Sequence, residues 1–190
     1  MKKLNVLLII SALFALLFIP VSCDINDTDG IPYNETATYT NGLSGYRATY
    51  AKSWIKDDLT INPDGSTGLT LKNKADAVLA GQSDFNLTQD GSVIYISVIP
   101  GMNFSNYEDF VKNSGYLNSN QQTEFLKNIG SVNIGGVNLQ ARYVQLPTSK
   151  GYDFIYNNKL YKINLTSGSE AEFKKDEKVF DDLIKSFQFI

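Results

Sequence analysis

The feature that most constrains this chain is a stretch of period-two alternation between Ser131 and Leu165, broken only where residues accept tight turns. Successive side chains of a strand point to opposite faces. Val137, Leu139, Ala141 and Tyr143 therefore share one face, and Asn138, Gln140 and Arg142 share the other. Tyr152, Phe154 and Tyr156, then Tyr161, Ile163 and Leu165, repeat the pattern. Gly135-Gly136 and Asn157-Asn158 are residues that tolerate the positive φ of a two-residue hairpin turn. Strands joined that tightly are antiparallel neighbours. Behind them Phe173, Val179, Phe180, Leu183, Ile184 and Phe187 form a helical stripe, opened by a capping box over Ser169-Glu-Ala-Glu172. Gly151 to Ile190 thus reads as a hairpin feeding a terminal helix.

Upstream signals are sparser. Tyr46, Ala48 and Tyr50 alternate against Arg47 and Thr49, and Trp54 is placed to cover the edge of the core. Asn62-Pro63-Asp64-Gly65 is a turn, because proline presets φ and glycine frees the exit. Thr67 to Leu71 alternates again, and residues 73–91 read as irregular. Ser92 to Ile99 is apolar on both faces and rich in β-branched residues, which predicts a central strand covered on both sides. Pro100 and Gly101 end it. Ser105-Asn-Tyr-Glu108 reads as a capping box for a helix carrying Tyr107, Phe110, Val111 and Ser114 and stopping at Gly115. Residues 118–128, anchored by Phe125 and Leu126, fit either a short helix or a mobile loop. Antiparallel strands with helices spliced between them make an α+β domain, an antiparallel sheet flanked by helices.

The N-terminus carries an address. Met1-Lys2-Lys3 precedes an apolar run that stops at a lone cysteine, Cys23, the layout of a secretory signal. Val21, Ser22 and Cys23 resemble the lipobox of prokaryotic lipoproteins, with Pro20 standing where an aliphatic residue is usual. The resemblance implies that the Cys23 thiol takes a lipid and becomes the new N-terminus. The expected organisation is then a signal peptide over 1–22, a flexible tether over 23–41 and a domain over 42–190. An uncleaved signal anchor is the alternative, since the run nearly reaches the roughly 18–20 residues that span a bilayer. Both readings put the domain at the outer face of the cytoplasmic membrane or the cell surface, with the membrane as its partner. Asp27, Asp29 and Gly30 match part of a calcium loop, but Ile25 and Thr36 stand where ligands belong. They read as solvated linker.

Composition excludes more than it proposes. The 190 residues contain no histidine and a single cysteine. That removes the usual Ser-His-Asp and Cys-His machinery, the common zinc sites and any intrachain disulfide. No catalytic residue, no metal site and no cofactor is expected. The net charge is −3, and loss of Lys2 and Lys3 with the signal would take it to −5. No basic surplus exists for phosphate contacts, so nucleic acid is not an expected partner. Ser53-Trp-Ile-Lys56 fits a serine acyl-enzyme pattern but lacks its companion motifs. Asp57-Asp58 and Asp181-Asp182 diverge whether extended or helical and read as solvated pairs, as do Lys159, Lys162 and Asp153. Arg142, one of two arginines, either clamps a ligand carboxylate or pairs with a nearby acid. The tyrosines line a recognition surface or pack across strands. Arg142, Tyr143 and Tyr152 are the ligand-binding candidates. Asn-x-Ser/Thr occurs at Asn26, Asn34, Asn86, Asn103 and Asn164, as expected by chance in so Asn-rich a chain.

The order of these elements resembles the PsbP/Mog1-like fold, including prokaryotic "PsbP-related" lipoproteins. The matching stretches are YAKSW at Tyr50–Trp54 (Ala51 replacing the usual proline), YEDFVK, VNIGGVNLQARYVQL and GYDFIYNNKLYKINL with FDDLIKSFQFI, within residues 42–190. The resemblance implies an α/β/α sandwich and non-enzymatic association with a larger partner. The expected function is a lipid-anchored extracytoplasmic accessory or binding protein without catalysis. The alternatives are a small-ligand or ion carrier at the cell surface, and a carboxylate- or Lys-based hydrolase.

Overall fold

Residues 35–57, 59–74 and 91–190 are described by a computed structural model. Strand β1 (Thr36–Asn41) pairs with β2 (Tyr46–Ala51), and short β3 (Ile55–Lys56) and β4 (Thr60–Ile61) both lie against β5 (Thr67–Lys72). After β6 (Ser92–Pro100) come helices α1 (Tyr107–Asn113) and α2 (Ser119–Lys127). Four strands follow: β7 (Ile129–Ile134), β8 (Val137–Leu146), β9 (Ser149–Tyr156) and β10 (Lys159–Ser167). The described chain closes with α3 (Glu170–Ser186) and β11 (Gln188–Phe189). All pairings are antiparallel. An eight-stranded sheet runs β3-β5-β6-β10-β9-β8-β7 with β4 beside β5, and a three-stranded sheet runs β1-β2-β11. The fold is α+β, with helices on both faces of the larger sheet.

The two short turns are where the sequence puts them. Asn157 and Asn158 hold φ of 47° and 58°, and Gly135 and Gly136 hold 62° and 79°. Gly135 is needed twice over, because a Cβ there would lie 3.0 Å from the Phe187 carbonyl. The alternation then sorts side chains. Phe154, Tyr161, Ile163 and Leu165 join Ile94, Ile96 and Val98 on the face that α3 covers with Phe173, Val179, Phe180, Leu183 and Ile184. At about 25 cal/mol per Å² of apolar surface removed from water, this face dominates the stability of the domain.

Past α3 the backbone becomes extended at Phe187, which is fully buried and stacks on Tyr46 with centroids 5.1 Å apart. β11 then pairs with β2, Phe189 opposite Tyr46, and the Phe189 ring lies 4.0 Å from that of Tyr156. The Phe-rich tail thus ties the small sheet to the large one.

Three expectations change and one open alternative is settled. Thr36–Asn41, assigned to the tether, form β1 instead: Tyr39 faces Ala48 in register and its ring packs on Tyr46. The cap of α1 sits one place later, with Asn106 accepting from the Asp109 amide while Asp109 accepts from the Ser105 amide. Glu108 pairs with Lys112 one turn on. Residues 118–128 take the helical of their two readings, as α2, opened by a capping box between Asn118 and Gln121. β6 is central, but among the described residues its α3 face is the covered one, and on the other face Ile99 packs against the α1 cluster. Tyr95, Ser97 and Ile99 open on a cavity, because α1 packs over β8 and β9 rather than over β6.

Burial raises the phenol pKa of Tyr46, of Tyr107 and of Tyr161, the last to about 12 from an ordinary 10.0. A raised pKa contributes stability fully below the unfolded value and loses it as pH climbs through the folded one. The thermal midpoint is therefore expected to fall between about pH 10 and 12, with these buried phenols ionising only as the protein unfolds. Phenolate absorbance complete by pH 11 in a still-folded protein would contradict this burial.

Candidate functional site

The residues that build the core force their strand neighbours onto the opposite face, and there the registers line up one row across five strands. Arg142 of β8 faces Asp153 of β9, Asp153 faces Lys162 of β10, Lys162 faces Ser97 of β6, and Ser97 faces Gly68 of β5. A second row runs Val144, Gly151, Asn164, Tyr95 and Thr70. A third brings Ile155, Leu160 and Ile99 together. These rows floor a cavity of about 830 Å³. Its apolar wall comes from α1, α2 and their flanks through Met102, Phe110, Leu117 and Phe125. The turn carrying Asn62 and Asp64 forms its polar rim.

Two glycines shape the floor. A Cβ on Gly68 would lie 2.6 Å from the Tyr95 hydroxyl, and one on Gly151 would collide with the Asn164 carboxamide oxygen. The missing side chains let Tyr95 and Asn164 lie flat across their neighbouring strands. Burial raises the Tyr95 pKa, partly offset by its hydrogen bond with Ser97.

Asp153 is the fixed point of the charged row. It is 3% exposed, so the solvated reading of this residue is wrong. Its Oδ2 accepts from Arg142 Nη1 at 3.0 Å and from the Tyr107 hydroxyl at 3.2 Å. The Arg142 guanidinium also lies 3.6 Å from the centroid of the Phe125 ring, a cation–π contact of roughly 0.5–2 kcal/mol that pins α2 to the sheet. Arg142 Nε is buried with no partner among the described residues. Burial, and then the charge of Asp153, push the Tyr107 phenol well above its ordinary value, with Arg142 opposing. Lys162, next along the row, has no carboxylate within 4.0 Å among the described residues.

The three ligand-binding candidates separate. Arg142 lines the cavity, whereas Tyr143 and Tyr152 lie on the other face of the sheet, with ring centroids 5.3 Å apart. Tyr152 stacks on Phe180 of α3, and Tyr143 stays 39% exposed. Residues 142 and 143 are adjacent in a strand, so no pleated sheet could bring all three together. The cavity residues that sequence reasoning missed are Lys162, Ser97, Asn164, Tyr95 and Asp153. The signal was in plain view, since each is the strand neighbour of a core residue.

Other sequence candidates go elsewhere. Lys56 lies over the Tyr39 ring at 5.6 Å and donates to the Asp57 carbonyl. Asp57 pairs with Lys72, and Asp182 with Lys178 and Lys185. Asp181 and Glu177 hold the buried Lys150 at 2.7 and 2.9 Å, so Asp181 is not a merely solvated acid. Burial alone would lower the Lys150 pKa, and the two carboxylates more than reverse that. Asp58, Cys23, the Asp27–Gly30 stretch and the sequons at Asn26, Asn34 and Asn86 lie outside the described residues. Among the described residues no three metal-ligating side chains cluster.

What this arrangement can do is bind. It offers hydroxyl and amide groups, an apolar wall on a rigid floor, and in Lys162 a cation with no carboxylate partner among the described residues. Ser97 and Lys162 are cross-strand neighbours on its floor.

No family model and no curated protein matches the chain. Among solved structures, the solution structure of cyanobacterial PsbP (CyanoP) from Synechocystis sp. PCC 6803 matches with 16% identity and a TM-score of 0.43. The match covers 87% of this chain and 99% of that one. The chain is similar to cyanobacterial PsbP.

Replacing Asp153 by Ala strands the Arg142 charge in a site where its side chain is 14% exposed, and should cost about 3–5 kcal/mol in urea unfolding. The pair Arg142→Met with Asp153→Leu should recover most of that loss. Equal losses for the single and double variants would contradict the account.

Proposed function

We propose that this chain is a non-catalytic binding protein, held at the outer face of the cytoplasmic membrane through a lipid on Cys23, whose cavity takes a small ligand. The observation that carries the reading is the cavity itself. Small-molecule sites typically enclose about 300–1,000 Å³, with a largely apolar lining and a few placed polar groups. The 830 Å³ space on the second sheet face has that make-up. Its polar groups project from paired strands, which hold a site more firmly than loops do. The absence of histidine from the sequence supports binding without turnover. The apolar run ending at the lone Cys23 supports the anchor.

A second reading, association with a larger membrane or surface protein, draws on the edge of the sheet. β7 ends the strand order, so its outer edge carries backbone groups without a strand partner among the described residues. Such an edge is a template for an added strand.

Two measurements test the proposal. Cells given an alkyne-tagged fatty acid should label the wild-type chain, and Cys23→Ala should abolish the label and release the protein from membranes. Label retained on Cys23→Ala would remove the anchor. Calorimetry of the full chain against pooled metabolites should give saturable binding that Ser97→Trp, which fills the cavity, eliminates. Binding unaffected by Ser97→Trp would place the ligand elsewhere.

A further inference from the structure

The charges of the cavity floor narrow the ligand class, granting the binding reading just given. Arg142, Asp153 and Lys162 form a plus-minus-plus row of net charge +1. The negative member is already engaged, its Oδ2 taking both Arg142 and Tyr107. Lys162 is half-buried and has no carboxylate partner among the described residues. A partly desolvated ammonium gains most from an anion that brings its own charge into the site.

Neutral polar side chains gather at the same place. Ser97 lies in register beside Lys162. Asn164 also lines the cavity, its carboxamide oxygen folded over Gly151 and buried with no partner among the described residues. Two carboxylates limit how much anion the site accepts. Asp153 adjoins Lys162, and Asp64 stands on the rim, its pKa lowered by bonds from the Ser66 hydroxyl and amide. A dianion would meet one or the other.

The remaining lining is apolar. Leu160 is two residues from Lys162 along β10, about 7 Å away, and it faces Ile99 across the ladder. Beyond them lie Phe110 and Leu117. We infer that the ligand is an amphipathic monoanion, with one carboxylate-type head on Lys162 and an apolar body lying along Leu160 and Ile99 beneath α1 and α2.

The test uses the full chain in lipid nanodiscs, with empty nanodiscs as blank, and four water-soluble probes. These are 4-phenylbutyrate, 4-phenyl-1-butanol, 4-phenylbutylamine and the dianion phenylsuccinate. Calorimetry gives affinity, and methyl NMR of Ile99 and Leu160 reports cavity occupancy. Phenylbutyrate should bind once per chain and at least tenfold more tightly than the other three. Lys162→Met should reduce it to the level of the alcohol, and Lys162→Arg should keep the preference. Methyl shifts with the alcohol or amine binding as tightly as phenylbutyrate, or a preference unchanged in Lys162→Met, would overturn the anionic head while leaving the cavity a binding site. Methyls unmoved by every probe would overturn both.

Discussion

The structure depends on one constraint, the two-residue period of β9 and β10. Phe154, Tyr161, Ile163 and Leu165 must face α3 to bury the apolar stripe of that helix. Once they do, Asp153, Lys162, Asn164 and Thr166 have no choice of side. A slip of one residue would put the charges into the aromatic core and the aromatics into water. The core therefore sets the register, and the register builds the cavity floor. Binding chemistry here is a by-product of packing on the other side of the same strands.

The two faces are closed to different degrees, and for physical reasons. The α3 face is sealed by a 17-residue helix and by the Tyr46, Phe187 and Phe189 rings, which join the small sheet to the large one. Among the described residues the other face has α1 and α2, of seven and nine residues. Their footing is the smaller cluster of Tyr107, Phe110, Val111, Ile155 and Leu160, together with the Arg142–Phe125 contact. Helices that short cannot roof five strands. They cover the β8–β9 half and reach Leu160 and Ile99, and the part of β6 and β10 around Ser97 and Lys162 faces the cavity.

Much of this was legible in the sequence. Gly135-Gly136, Asn157-Asn158 and the helical stripe behind Ser169 gave the hairpins, the terminal helix and its cap, because each rests on local backbone chemistry. Thr36–Asn41 did not read as a strand, since its polar residues declare no face until Tyr39 meets Tyr46. The α1 cap was misplaced by one residue because Ser105 and Asn106 are both good capping residues, and only the reach of Asp109 decides between them. The site was the hardest part. Arg142 was legible as an unusual charge in a strand, but grouping it with Tyr143 and Tyr152 ignored the alternation that had identified the strand. Asp153 and Lys162 looked like ordinary solvated residues because burial on the second face comes from α1 and α2, distant in sequence.

The central claim is that the second face of the sheet is open to small solutes while the first is sealed. Single cysteines at Ser97 and at Val98, adjacent on β6, test it directly in a Cys23→Ala background that contains no other thiol. A small charged methanethiosulfonate reagent should modify Ser97→Cys at close to the rate of an exposed thiol. Val98→Cys should react only as fast as the protein unfolds. Equal protection at both positions would mean that the cavity is closed, and equal reactivity would mean that the α3 face is not the core described here.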